Sequence, residues 1–278
     1  MASSLTNQCS RTCLQAVSEH SRRPDRAWLG IGFAVLVLLA GCSSVPPTGP
    51  GEAGTPQERL RAHLDLAEGY LETGDLNRAK RPLDRAEQIN SRSWEVQSLR
   101  ARIYQLEGDP ENAERHFRLA VRYGGNESRV RNDYGVFLYQ QGNYEEAVNQ
   151  LTRAVEDSGN PQRAVAYENL GLASLRVGAR TEARNAFNRA TMLRERMPVA
   201  LLELAEMAFD DSDFAQASTY YDRFRAMTRQ TPRSLWLGIR LARVFDNADA
   251  ESSFALQLRN LYPSSTQYLE YRESVHGG

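Results

Sequence analysis

Side chains able to do covalent or metal chemistry are few in this chain and poorly spaced for it. The three cysteines, Cys9, Cys13 and Cys42, cluster at one end, which does not suit a disulfide framework. Cys9 and Cys13 are spaced like a metal pair, yet they precede an apolar run that marks their segment for removal. His63 and His116 lie far apart, with neither Cys nor a carboxylate at ligand spacing. Each reads as a surface or interhelix residue. No Gly-rich phosphate loop, HExxH, GxSxG or paired CxxC is present. The acidic residues fall at exposed helical phases, where solvation explains them. With 41% hydrophobic and 25% charged residues the chain can bury a core, and its formal net charge of −1 gives no basic footprint for nucleic acid. The expectation is a binding protein, not an enzyme, that takes no cofactor or metal and acts as a monomer.

One thiol does carry a chemical signature. Arg11, Arg22, Arg23 and Arg26 precede an uncharged stretch, Ala27–Ala40, that is too short to span a bilayer, which takes about 18–20 residues. It ends in Leu39-Ala40-Gly41-Cys42. Small residues before a cut site and Cys directly after it resemble the lipobox of bacterial lipoproteins. That resemblance implies cleavage before Cys42, diacylation of its thiol and a durable hold on a membrane, since several acyl chains anchor where one does not. Residues 1–41 are then a signal peptide. Ser43 after the Cys implies transfer to the outer membrane under the lipoprotein sorting rule of Gram-negative bacteria. Without the leader the charge is 30 − 33 = −3.

The elements behind this anchor are legible from spacing. Residues 43–57 hold four Pro and three Gly, and read with Cys42 as a disordered tether, 42–57. After it, Gly74-Asp-Leu-Asn-Arg-Ala79 recurs from Gly108, Gly142, Gly178 and Ser212, and in degenerate form from Asp246. The starts are 34, 34, 36, 34 and 34 residues apart. That period is the one of tetratricopeptide repeats, pairs of helices joined by a tight turn.

Other positions keep the phase. A small residue stands seven before each turn: Ala67, Ala101, Gly135, Gly171, Ala205. A large one follows nine after it: Leu83, Phe117, Leu151, Phe187, Tyr221. Small side chains let two helices approach, and large ones fill the space between pairs. The spacing predicts an all-α superhelical solenoid of about six repeats, 60–93, 94–127, 128–161, 164–197, 198–231 and 232–263. Repeats break near Pro161, Pro198, Pro232 and Pro263. Residues 161–162 supply the excess in the 36-residue interval and predict a loosened junction. Residues 264–278 are a tail or capping helix, because a terminal repeat lacks one neighbour.

The first helix of each repeat should line the inner surface of such a solenoid. By phase the groove comprises Leu64, Glu68 and Leu71, then Arg102 and Leu106, then Asn132, Val136 and Tyr139. Glu168, Leu172 and Leu175 continue it, followed by Leu202 and Phe209. Apolar members at these positions fit capture of an amphipathic helix or an extended segment.

Several stretches go beyond a generic repeat: Arg131–Ala147, Ala200–Ala205, Ser234–Arg243 and Ala255–Pro263. With a lipobox ahead of six repeats, they resemble the type IV pilus biogenesis and stability lipoproteins, the PilW/PilF pilotins, over essentially residues 42–278. The resemblance implies an outer-membrane lipoprotein on the periplasmic face that binds secretin subunits and promotes their targeting and multimerisation. Members often carry Cys in the stretch matching Leu138-Tyr139. Here Tyr139 stands, so no thiol role carries over. Two alternatives share the same features: a general periplasmic adaptor for cell-wall or outer-membrane-protein assembly machinery, and a fixed part of an envelope complex.

Overall fold

The structure, a computed structural model, describes residues 54–276, so the leader, Cys42 and most of the tether lie outside it. Among the described residues every regular element is an α-helix. In chain order these are α1 (Pro56–Glu72), α2 (Leu76–Ile89), α3 (Trp94–Glu107), α4 (Pro110–Gly124), α5 (Ser128–Gln140) and α6 (Tyr144–Glu156). Then come α7 (Arg163–Arg176), α8 (Arg180–Leu193), α9 (Pro198–Asp210), α10 (Phe214–Arg225), α11 (Pro232–Val244), α12 (Ala248–Leu261) and α13 (Thr266–His276). They form six helix pairs and one further helix, a tetratricopeptide-repeat solenoid.

The repeating phrase works through backbone geometry. Its first residue adopts a left-handed conformation in every copy, with φ of 76° to 80° at Gly74, Gly108, Gly142 and Gly178, 63° at Ser212 and 51° at Asp246. The same two hydrogen bonds close each turn: Gly74 N–H donates to the Leu71 carbonyl and Asp75 N–H to that of Tyr70, and so on through Asp246 and Asn247. This satisfies carbonyls that a helix end otherwise leaves orphaned. The next residue caps the second helix. Asp75, Asp109, Asp213 and Asn247 accept a first-turn N–H, whereas Asn143 and Ala179 make no such bond.

The small–large code is a packing code. A Cβ built on Gly171 would stand 2.5 Å from Phe187, and one on Gly135 would stand 2.6 Å from Leu151. Ala67, Ala101 and Ala205 are fully buried, as are Leu83 and Leu151. Burying a Leu or Phe side chain stabilises the fold by roughly 1.5–3 kcal/mol. In the last repeat the code shifts by one position: Gly238 takes the small role, with its built Cβ 2.3 Å from the Tyr221 hydroxyl.

Neighbour relations fix the curvature. First helices touch first helices, α1 to α3, α3 to α5, and onward to α11 and α13. Among the described residues the backbones of second helices do not approach one another, although Tyr220 on α10 donates to Asn188 on α8 at 3.2 Å; each second helix packs on the first helix of the next pair. Successive first helices therefore form an inner row and second helices an outer one. Tyr268 and Tyr271 of α13 pack on the last hydrophobic cluster, and the helix lies against α11 and α12.

Two expectations change. Helix α1 begins at Pro56, inside the segment read as tether: Thr55 and Glu58 form a reciprocal capping box, and Pro is at home in a first turn, where its missing N–H has no partner to lose. The junction around residues 161–162 is not loosened. The Arg163 guanidinium donates to the Val155 carbonyl at 2.8 Å and Asn160 accepts from Gln162 N–H, tying α6 to α7. Packing across this junction is the most extensive between neighbouring pairs.

Candidate protein-binding groove

The inner row places its side chains by position along each first helix. At the N-terminal end, α1, α3 and α5 enclose a cleft of about 210 Å³ with Leu64, Leu99 and Trp94 among its walls. The Glu68 carboxylate on α1 accepts from Arg102 on α3 at 3.4 Å and from Arg129 on α5. It thus staples three repeats. These half-exposed pairs contribute about 0–1 kcal/mol each, so their role is chiefly to fix geometry. Burial pushes the neighbouring Asp133 carboxyl above its ordinary value, against the pull of Arg102 and Arg129.

The centre is milder. Asn169 on α7 donates to Asn132 on α5 at 2.9 Å, leaving amide groups of both at a half-buried surface. Val136, Tyr139, Leu172 and Leu175 are half-buried beside them. Tyr139 and Tyr144 meet edge to face, and Arg176 lies 4.5 Å over the Tyr144 ring. Such a surface offers apolar contact and amide hydrogen bonding together, the pair of interactions an extended segment or helix requires.

The C-terminal part is charged and aromatic. Arg233 on α11 forks onto Glu203 at 2.6 and 2.8 Å and onto Glu206, both on α9. Its guanidinium is held above its ordinary pKa by those carboxylates, Glu203 first, despite burial. Phe209 is half-buried against the last cluster and meets Phe214 edge to face.

The residues expected in the groove divide accordingly. Glu68, Arg102, Asn132, Val136, Tyr139, Leu172, Leu175 and Phe209 lie partly open on first helices, and Leu106 is 57% exposed. Leu71 is a correction: at 6% exposure it belongs to a core cluster built by α1, α2 and α3, because these helices cover its face. Leu64 is buried yet lines the N-terminal cleft, and Leu202 is buried in the last core cluster. Glu168 serves structure, its carboxylate accepting the Ala200 N–H at 2.9 Å and so capping α9; burial raises its pKa. Sequence reasoning missed Trp94, Arg129, Asp133 and the Glu203–Glu206–Arg233 set. The repeat phase could have found part of these: Glu206 shares the register of Glu68 and Arg102, Glu203 that of Asp133, and Arg233 that of Arg129. Cys42 lies outside the described residues.

Comparison with known proteins places this architecture. Models described as tetratricopeptide repeat match residues 132–198 and 94–118. Type IV pilus assembly protein PilF of Pseudomonas aeruginosa is 36% identical over 241 residues, 86% of this chain and 96% of that protein. The solved structure of Pseudomonas aeruginosa PilF superposes with a TM-score of 0.77 at 37% identity, over 79% of this chain and 99% of that one. PilW, described as a widely conserved type IV pilus biogenesis factor, shares the fold at 23% identity, with a TM-score of 0.65 over 76% of this chain and 97% of its own. A helical repeat array whose first helices line one continuous face, related at this level along nearly the whole of PilF, belongs to the PilF family of type IV pilus biogenesis proteins.

Proposed function

We propose that this chain is an outer-membrane lipoprotein pilotin. Anchored through acylated Cys42 on the periplasmic face, it holds secretin subunits in its concave surface and promotes their targeting and multimerisation for type IV pilus biogenesis. The observation that carries the reading is the unbroken inner row of first helices, with Asn132, Val136, Tyr139, Leu172 and Leu175 half-open at its centre. Its relation to PilF supports the pilus assignment. Among the described residues no helix is long and apolar enough to cross a membrane. Attachment in this reading therefore falls to the lipid.

The mechanism is tethered capture. Confinement to a membrane raises the effective concentration of the groove beside membrane-bound partners. A Pro/Gly-rich spacer gives reach at about 3.1 Å per extended residue. The groove then holds a secretin segment by apolar contact and amide hydrogen bonds until the ring closes.

The test is genetic and biochemical. Deleting the gene should leave secretin as monomers and remove surface pili, and wild-type gene complementation should restore both. Cys42→Ala should leave the repeats folded but release them from the membrane. Val136→Glu with Leu172→Glu should keep membrane attachment and lose secretin retention. Normal secretin multimers in the deletion strain would reject the proposal.

A further inference from the structure

The last two repeats carry an aromatic–arginine arrangement on the same inner row. Arg240 stands on α11 four residues after Trp236, one turn along the same helix face. Its guanidinium carbon lies 4.5 Å from the ring centre of Phe209 on α9 and 5.9 Å from that of Trp236. Arg243 follows, 5.8 Å from Trp236 and 5.6 Å from Tyr271 on α13. Phe209, Arg240, Trp236, Arg243 and Tyr271 thus form an alternating ladder across three neighbouring helices. Every member sits on a first helix or on α13, so the ladder spans the contacts that join α9, α11 and α13 in the inner row.

The arginines in this region differ in one respect. Arg243 donates to Glu251 at 2.7 Å and to Ser274 at 3.0 Å. Arg233 is taken by Glu203 and Glu206. Among the described residues Arg240 has no carboxylate within ion-pair distance, and its Nε is buried without a hydrogen-bond partner. A guanidinium resting against aromatic rings is held in place by them, which leaves its remaining N–H donors positioned for a carboxylate.

We infer that Arg240 anchors an acidic side chain of an extended partner segment, with a neighbouring aliphatic residue of that segment lying against Trp236 and Phe209. Charge complementarity selects the carboxylate, and the aromatic flanks select its apolar neighbour. The inner face runs past Arg240 onto both α9 and α13, so a through-running segment fits better than a free chain end. This inference does not depend on secretin being the protein that supplies the segment.

The experiment uses the full chain in detergent and three synthetic probes. These are acetyl-Gly-Leu-Glu-Leu-Gly-amide, the same peptide with Gln for Glu, and acetyl-Gly-Leu-Gly-Leu with a free C-terminal carboxylate. Calorimetry gives affinity, and the indole N–H resonance of Trp236 reports occupancy. The Glu peptide should bind at least about ten-fold tighter than the Gln peptide, as expected for a charge-assisted fork. Arg240→Gln should erase that difference while circular dichroism stays unchanged, and Arg240→Lys should retain only part of it. Equal binding of the Glu and Gln peptides, or discrimination that survives in Arg240→Gln, would overturn the inference. Tighter binding of the free-carboxylate probe would overturn the choice of a side chain over a chain end. None of these outcomes alters the Cys42 and secretin-multimer results, so the two readings fail separately.

Discussion

At Gly171 the difference between one hydrogen and one methyl group decides whether two helices can meet. A Cβ there would sit 2.5 Å from Phe187 Cε1, and Phe187 is fully buried, so its ring has nowhere to yield. Gly171→Ala should therefore destabilise the array by about 1–3 kcal/mol, the ordinary cost of overpacking, although alanine is the better helix former. Denaturant unfolding with an unchanged m-value would show it. If the variant proved as stable as the parent, α7 and α8 would have to pack more loosely than described. His116 makes a second residue-scale case. Its ring stacks on Tyr104 at 5.2 Å, and its Nδ1 meets the Gln97 side-chain oxygen at 2.7 Å. Burial, then Arg115 and Arg100, hold its pKa below the ordinary 6.5, so the fold favours the neutral ring. That contribution is present above about pH 6.5 and is lost as pH falls through it toward the lowered folded value. Between pH 8 and pH 5 the melting temperature should fall further for the parent than for His116→Gln; parallel curves would remove His116 as the cause.

Turns and caps operate at the scale of the element, and here the repeats are unequal. Ser212 holds a left-handed backbone that glycine adopts freely and serine adopts at a cost. Ala179 fills a cap position where the equivalent Asp75, Asp109 and Asp213 each accept a backbone N–H. Ser212→Gly and Ala179→Asp should each stabilise by roughly 0.5–1 kcal/mol, and their effects should add because the sites share no partner. Chemical denaturation of the single and double variants measures both claims. This scale is also where the sequence was most legible. Four of the six left-handed positions are Gly, and they and the small–large pairs follow directly from the 34-residue phase, each for one steric reason. Ser212 and Asp246 follow only as copies of the phrase. The groove was less legible. First helices are covered by their own partner, the preceding pair and two flanking first helices. Accordingly α9 buries eight residues spread round much of its surface, whereas α8 buries four along one side. Phase alone therefore could not separate Leu71, which is buried in the core, from Leu172, which stays half-open. The same crowding hid Arg240, whose aromatic partners come from two helices.

For the molecule as a whole, stability is a sum over neighbours. The inner hydrophobic clusters each draw on adjacent pairs, and the last one is closed by Tyr268 and Tyr271 of α13. Removing residues 266–278 should expose that cluster and weaken only its surroundings. Hydrogen exchange should quicken by at least about ten-fold in α11 and α12, with α3 to α8 protected as before. Uniform loss of protection would mean that the array unfolds as one block.

The asymmetry between the two rows has a mechanical consequence. Bending a stack strains most the layer whose backbones are packed together, and here that is the inner row, while the outer row carries a side-chain bond between Tyr220 and Asn188. Away from that bond the outer helices are free to splay or close like the ribs of a fan. The rungs along the inside then keep a spacing of about 8–10 Å whatever the bend. A ligand lying along that rail keeps its register while the coil tightens or relaxes around it.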